Sequence, residues 1–148
     1  MQVTQDKSKI KIHCNRFRQA IQKIPASGRP IDFRNFPSGS CGSTSELIGT
    51  YLEGLGFGKF YYVHGSKPGI ESHAWIKQGR LIVDLTADQF HEINIPVMVL
   101  DESPWHNEFE ISACHAIDLV ATDKTAFLPL LPFYEKILRV IQESNHEP

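Results

Sequence analysis

A thiol, an imidazole and a carboxylate are the side chains from which thiol acyl-transfer sites are assembled. The sulfur attacks, the ring moves the proton, and the carboxylate orients the ring. Cys41, His73 and Asp84 supply these types, each where local chemistry favours the role. Cys41 follows Pro37-Ser38-Gly39-Ser40 and opens a helical stretch. A helix N-terminus presents unpaired N–H groups and the positive end of the dipole, and both favour a thiolate. Gly42, Ser43 and Thr44 keep the first turn small, so that a substrate can approach the backbone amides. The alternative is a buried structural cysteine, and a position just after a glycine and serine loop argues against it.

His73 and Asp84 flank a candidate hairpin turn at Gln78-Gly79. With these two as the loop residues, Lys77 pairs with Arg80, Trp75 faces Ile82, and His73 faces Asp84. Directly opposed residues have Cβ atoms roughly 4.5–5.5 Å apart, within reach of an imidazole–carboxylate hydrogen bond. The two faces of the hairpin differ. Ala74, Ile76, Leu81, Val83 and Leu85 form an apolar core face, whereas His73, Trp75, Lys77, Arg80, Ile82 and Asp84 form a candidate site face. A like-charge pair between Lys77 and Arg80 is the difficulty with this register. A surface His–Asp pair with no chemistry is the alternative.

The elements that must position these groups follow from periodicity and breakers. Apolar spacing predicts helices over 5–24, ended by Pro25, over 41–55, ended by Gly54, Gly56 and Gly58, and over 134–144. Ser38 or Ser40 is the expected cap of the second helix. Residues 25–40 read as irregular. Strands are predicted over 59–64, 72–77 and 81–86, with further candidates at 95–101 and 115–120. There is no internal repeat.

Composition narrows the function. A chain of 148 residues suits one domain, and 41% hydrophobic with 22% charged residues predicts a packed globule. A net charge of −2 offers no basic excess for phosphates, so nucleic acid is not an expected partner. No apolar run reaches the roughly 20 residues that span a bilayer, so no membrane partner is expected. Met1 to Ile12 lacks the apolar stretch of a secretory signal. Three cysteines, Cys14, Cys41 and Cys114, make a disulfide framework improbable and favour a reducing, cytoplasmic setting.

Other chemistry-bearing residues have bland alternatives. His13-Cys14 and Cys114-His115 lack the short Cys-x-x-Cys spacing of a zinc site, and no metal is expected. Trp75, two residues from His73 on the same face, either walls the site against water or fills the core. Gln89 and His91 either line the cleft near Asp84 or form a solvated connection. Trp105 and His106 after Pro104 form a lid or a loop plug. Gly54, Gly56 and Gly58 lie at a helix end rather than after a strand, which excludes a phosphate loop.

The stretch 36–90 resembles the transglutaminase-like branch of the papain-like thiol enzymes, in the manner of its small bacterial members. The resemblance rests on Gly39-Ser40-Cys41-Gly42 before a helix, Phe60-Tyr61-Tyr62-Val63-His64-Gly65, Ser72-His73-Ala74-Trp75, and Ile82-Val83-Asp84-Leu85-Thr86, continued to Phe90. It covers roughly 55 of 148 residues. It implies an α+β fold, with a cysteine-bearing helix packed on an antiparallel β-sheet. The implied organisation is one domain over 1–148: the N-terminal helix, a catalytic core at about 36–90, and an extension over 91–148. It also implies acyl transfer through a thioester on a protein or peptide substrate: peptide hydrolysis, glutamine deamidation or amide crosslinking. In that reading Cys41 is nucleophile, His73 base and Asp84 orienter. Asn35 stands where such enzymes carry an oxyanion-hole amide, with an ordinary turn residue as the alternative. No cofactor is required. The chain is far shorter than the large transglutaminases and lacks an acidic calcium loop, so hydrolysis or deamidation is favoured over crosslinking. The NlpC/P60 cell-wall peptidases share a Cys-helix start and a later His. From another class, the alternative is a catalytically inactive peptide-binding module on the same scaffold.

Overall fold

The computed structural model describes residues 2–117 and 128–145. The architecture is α+β. Helix α1 spans Gln2–Lys23 and α2 spans Cys41–Gly54. Strands β1 (Tyr61–Lys67), β2 (Ile70–Gln78), β3 (Leu81–Asp84) and β4 (Met98–Leu100) follow. A single helical turn, α3 (Pro104–Asn107), precedes β5 (Glu110–Ala116), and α4 (Leu131–Asn145) closes the described chain. The sheet is antiparallel with strand order β4-β3-β2-β1-β5.

Two apolar clusters occupy its two faces. The larger packs Phe17 and Ile21 of α1, Leu47, Ile48 and Leu52 of α2, and Ile137 and Ile141 of α4 against Ile76, Leu81 and Val83. The smaller gathers Val63, Ile70, Trp75 and Phe109, with Ile82, Phe90 and Trp105 against it. The alternation expected for the hairpin is therefore what divides the sheet between its two cores.

The register differs from the expected one. Gln78 pairs with Leu81, Lys77 with Ile82, and Ile76 with Val83, so the loop residues are Gly79 and Arg80. Gly79 has φ +58 and Arg80 is not in the positive-φ region, which suits a turn whose first central residue is glycine. Continued by one step, this register puts Trp75, not His73, opposite Asp84. The pairing has slipped by two positions, an even number that keeps every side chain on its expected face. A slip of one would have turned β3 over and pulled Leu81 and Val83 from the core, at roughly 1.5–3 kcal/mol each. The slip also removes the Lys77–Arg80 clash.

Helix α2 starts and ends within a residue of expectation. Ser40 holds the cap position, but its hydroxyl donates to the Pro37 carbonyl (3.1 Å) and does not cap the helix. The last strand lies earlier than expected, at Glu110–Ala116, and 118–120 fall outside the described residues. The segment after β3 is pinned to α1 by Arg18. Its guanidinium binds Asp88 bidentately (2.7 and 2.8 Å) and donates to the carbonyls of Leu85 (2.7 Å) and Pro96 (2.9 Å).

Candidate functional site

His73 and Asp84 are brought together by the diagonal rather than the direct register position. Diagonal neighbours across an antiparallel pair lie roughly 7–8 Å apart, which a histidine can bridge. The His73 Nε2–H donates to Asp84 Oδ2 at 2.7 Å. Exposure is 0% for His73 and 1% for Asp84. The other ring nitrogen, Nδ1, is buried and has no hydrogen-bond partner within bonding geometry. Helix α2 packs its start against the sheet so that the half-buried Cys41 thiol neighbours this ring. With Nε2 taken by Asp84, Nδ1 is the nitrogen left for sulfur.

The carboxylate has two further partners. Its Oδ1 accepts the Thr86 N–H (3.0 Å), which locks the plane of the group. Its Oδ2 accepts a second imidazole, the Nε2–H of His106, also at 2.7 Å. His106 is 2% exposed. The Ser103 hydroxyl caps α3 by accepting the His106 N–H (3.2 Å), and it donates to His106 Nδ1 (2.5 Å). That bond leaves the ring proton on Nε2, aimed at Asp84. A connected chain of hydrogen bonds thus runs from His73 through Asp84 and His106 to Ser103, with the Cys41 thiol beside its His73 end.

The electrostatics follow from burial and these bonds. Burial disfavours the charged ring of His73, but the hydrogen bond to Asp84, aided by Cys41 and the Asp84 charge, outweighs it and pushes the pKa up to about 9. Burial likewise disfavours the Asp84 carboxylate, yet the hydrogen bonds from His106 and His73 hold its pKa well below the usual carboxylate range. Both shifts favour the charged form of the pair, so that a proton arriving at His73 is stabilised by Asp84. Aromatic rings exclude water around it. Trp75 (5.7 Å), Phe90 (5.1 Å) and Trp105 (5.7 Å) surround His73, and Trp75 and Trp105 each lie 4.8 Å from His106.

His73, Asp84 and His106 are also the one group of potential metal ligands found among the described residues. Tetrahedral zinc at 2.0–2.1 Å from each donor holds those donors roughly 3.3 Å apart. The two 2.7 Å contacts here are hydrogen-bond distances, shorter than that zinc spacing. The pairs His13-Cys14 and Cys114-His115 contribute to no such group among the described residues. Cys14 lies in the core, where burial pushes its thiol pKa up, and Cys114 is exposed on β5.

The remaining sequence candidates divide. Trp75 is buried beside the His73 ring. Gln89 turns back on its own segment, donating to the Thr86 carbonyl (3.0 Å). Asn35 is exposed on the turn before Cys41, where its carbonyl accepts the Ser38 N–H (2.8 Å), and it makes no hydrogen bond to Cys41, His73 or Asp84. A cleft of about 490 Å³ is walled by Trp75, Ile82, His106 and Phe109 but by neither Cys41 nor His73. It approaches the network from the His106 end.

Sequence reasoning read His106 as lid or plug and missed its bond to Asp84. The signal was present in Ser103-Pro104, a cap residue followed by a favoured first helical residue. That predicts a turn which carries His106 inward. No protein-family model matches the chain, and searches of curated proteins and of solved structures likewise found no match.

Proposed function

We propose that this chain is a thiol-dependent acyl-transfer enzyme with a transglutaminase-like, papain-like core, acting on a peptide or carboxamide bond by hydrolysis or glutamine deamidation. The observation that carries the reading is the buried His73. Its Nε2–H is bound to Asp84, and its Nδ1 is unpartnered beside the Cys41 thiol at the start of α2.

In this reading Nδ1 takes the sulfur proton, and Asp84 stabilises the resulting imidazolium. The thiolate attacks the carbonyl carbon, forming the C–S bond while the carbonyl π pair moves to oxygen. Amides at the start of α2 face that oxyanion, and the Ser40 hydroxyl is turned away to Pro37 and does not compete for them. The oxyanion collapses, the C–N bond breaks, and His73 Nδ1–H protonates the leaving amine or ammonia. Water, giving its proton to Nδ1, attacks the thioester and releases acid and thiolate. The aromatic enclosure keeps the ion pair out of bulk water, where it would weaken.

The test is competitive labelling by limiting iodoacetamide at pH 7, read by peptide mass mapping. Cys41 should be alkylated at least tenfold faster than the more exposed Cys114, and His73→Ala should abolish that preference. Equal or slower labelling of Cys41 would instead favour a binding module without turnover.

A further inference from the structure

We propose that the Tyr62 hydroxyl is an oxyanion donor of this site, a catalytic role that rests on the thiol acyl-transfer reading and deepens it. Tyr62 lies on β1, opposite Ile76 of β2 and His115 of β5. Its phenol reaches the first turn of α2. A Cβ placed on Gly42 would stand only 3.2 Å from the Tyr62 oxygen, closer than ordinary van der Waals contact. The residue after the nucleophile is thus a glycine where the hydroxyl must enter. The ring is held from the other side by His115, stacked at 4.9 Å with an interplanar angle of 16°.

The hydroxyl makes no hydrogen bond to another described residue, and Tyr62 is half-buried beside Cys41. An unused donor at the start of the nucleophile's helix is placed to meet charge that appears only during reaction. Burial, with Cys41 and Glu46 nearby, pushes its pKa up to about 12, so it remains a donor at working pH. Asn35, the sequence candidate for this task, is exposed and makes no hydrogen bond to Cys41, His73 or Asp84. In the step itself Tyr62 transfers no proton. As C–S forms, the carbonyl oxygen becomes anionic and accepts the Tyr62 O–H hydrogen bond. When the C=O re-forms and the leaving group departs, that bond is released.

Two probes separate this role from any effect on the sulfur. Acylation by p-nitrophenyl acetate passes through an oxyanion and releases p-nitrophenolate. Alkylation by iodoacetamide displaces iodide and forms none. Tyr62→Phe should lower the acylation rate about 10- to 100-fold, while alkylation of Cys41 stays within about twofold, which also reports an intact site. Loss of both rates together, or of neither, would overturn the proposal. So would Asn35→Ala producing the selective loss in place of Tyr62→Phe. If native Cys41 is alkylated no faster than Cys114, the acyl-transfer reading fails first and takes the Tyr62 role with it.

Discussion

Replacing Asp84 by Asn removes one charge, changes the volume little, and reverses the logic of three hydrogen bonds. In the native chain the carboxylate accepts Nε2–H from both His73 and His106, and the N–H of Thr86. An amide that keeps its oxygen toward Thr86 turns its NH₂ toward two ring N–H donors. Both rings must then move their proton to Nδ1 to offer a lone pair. For His73 this puts an N–H toward the thiol, where a proton acceptor is needed. The energetic scale comes from the ring itself. Its pKa rises from the ordinary 6.5 to about 9, a preference for the imidazolium of about 3 kcal/mol. Without the carboxylate, the contribution that outweighs burial is lost and the ring pKa falls. The equilibrium that moves a proton from sulfur to ring changes tenfold per pKa unit, so Cys41 alkylation at pH 7 should fall about 100-fold in Asp84→Asn. The assay is the iodoacetamide rate constant at Cys41 from pH 5 to 9, with the buried Cys14 as an internal reporter of folding. If Cys14 stays protected and Cys41 retains a rate within about threefold of native, Asp84 is not coupled to the thiol through His73.

The other expectations concern stability. His106→Phe keeps a ring against Trp75 and Trp105 but leaves Asp84 Oδ2 with one donor, and should cost about 1–3 kcal/mol in urea unfolding. His106→Gln should recover part of the loss, and equal stability of native and Phe variants would contradict the assigned hydrogen bond. The same network sets a pH window. His73 has a folded pKa above its unfolded value, so its contribution is full below about 6.5 and lost as pH rises through about 9. Asp84 has a folded pKa below its unfolded value, so its contribution is present above about 4 and lost as pH falls below that. The urea midpoint should therefore peak between about pH 4.5 and 6.5 and decline toward 9. A profile that is flat or rising from 6.5 to 9 would exclude the raised His73.

Much of the scaffold was legible. The helical periods of Phe17-Ile21-Ile24 and Leu47-Leu52-Leu55 placed α1 and α2 to within three residues at each end, because an amphipathic stripe and its breakers are local properties. The short strand β4 and the position of β5 were harder. Edge strands carry little alternation of their own and are placed by the neighbours that pair with them. Asn35 follows only from the family resemblance, and a match across a loop says little about the direction of a side chain. Tyr62 is marked in the sequence only as part of the Phe60–Gly65 stretch, because nothing local shows that a strand tyrosine reaches a helix start.

The hairpin separates the two kinds of information. Alternating residue types determined by themselves that His73, Trp75, Ile82 and Asp84 share a face opposite Ile76 and Val83, since side-chain parity survives any even slip. Which of those residues touch was decided by the turn. Gly79 at the first central position moved Asp84 from beside His73 to its diagonal and placed the carboxyl oxygen between two imidazoles. His106, 22 residues further along, reaches that oxygen through the path of the chain across β4 and α3. Such contacts between distant segments depend on packing in three dimensions, on which no local pattern reports.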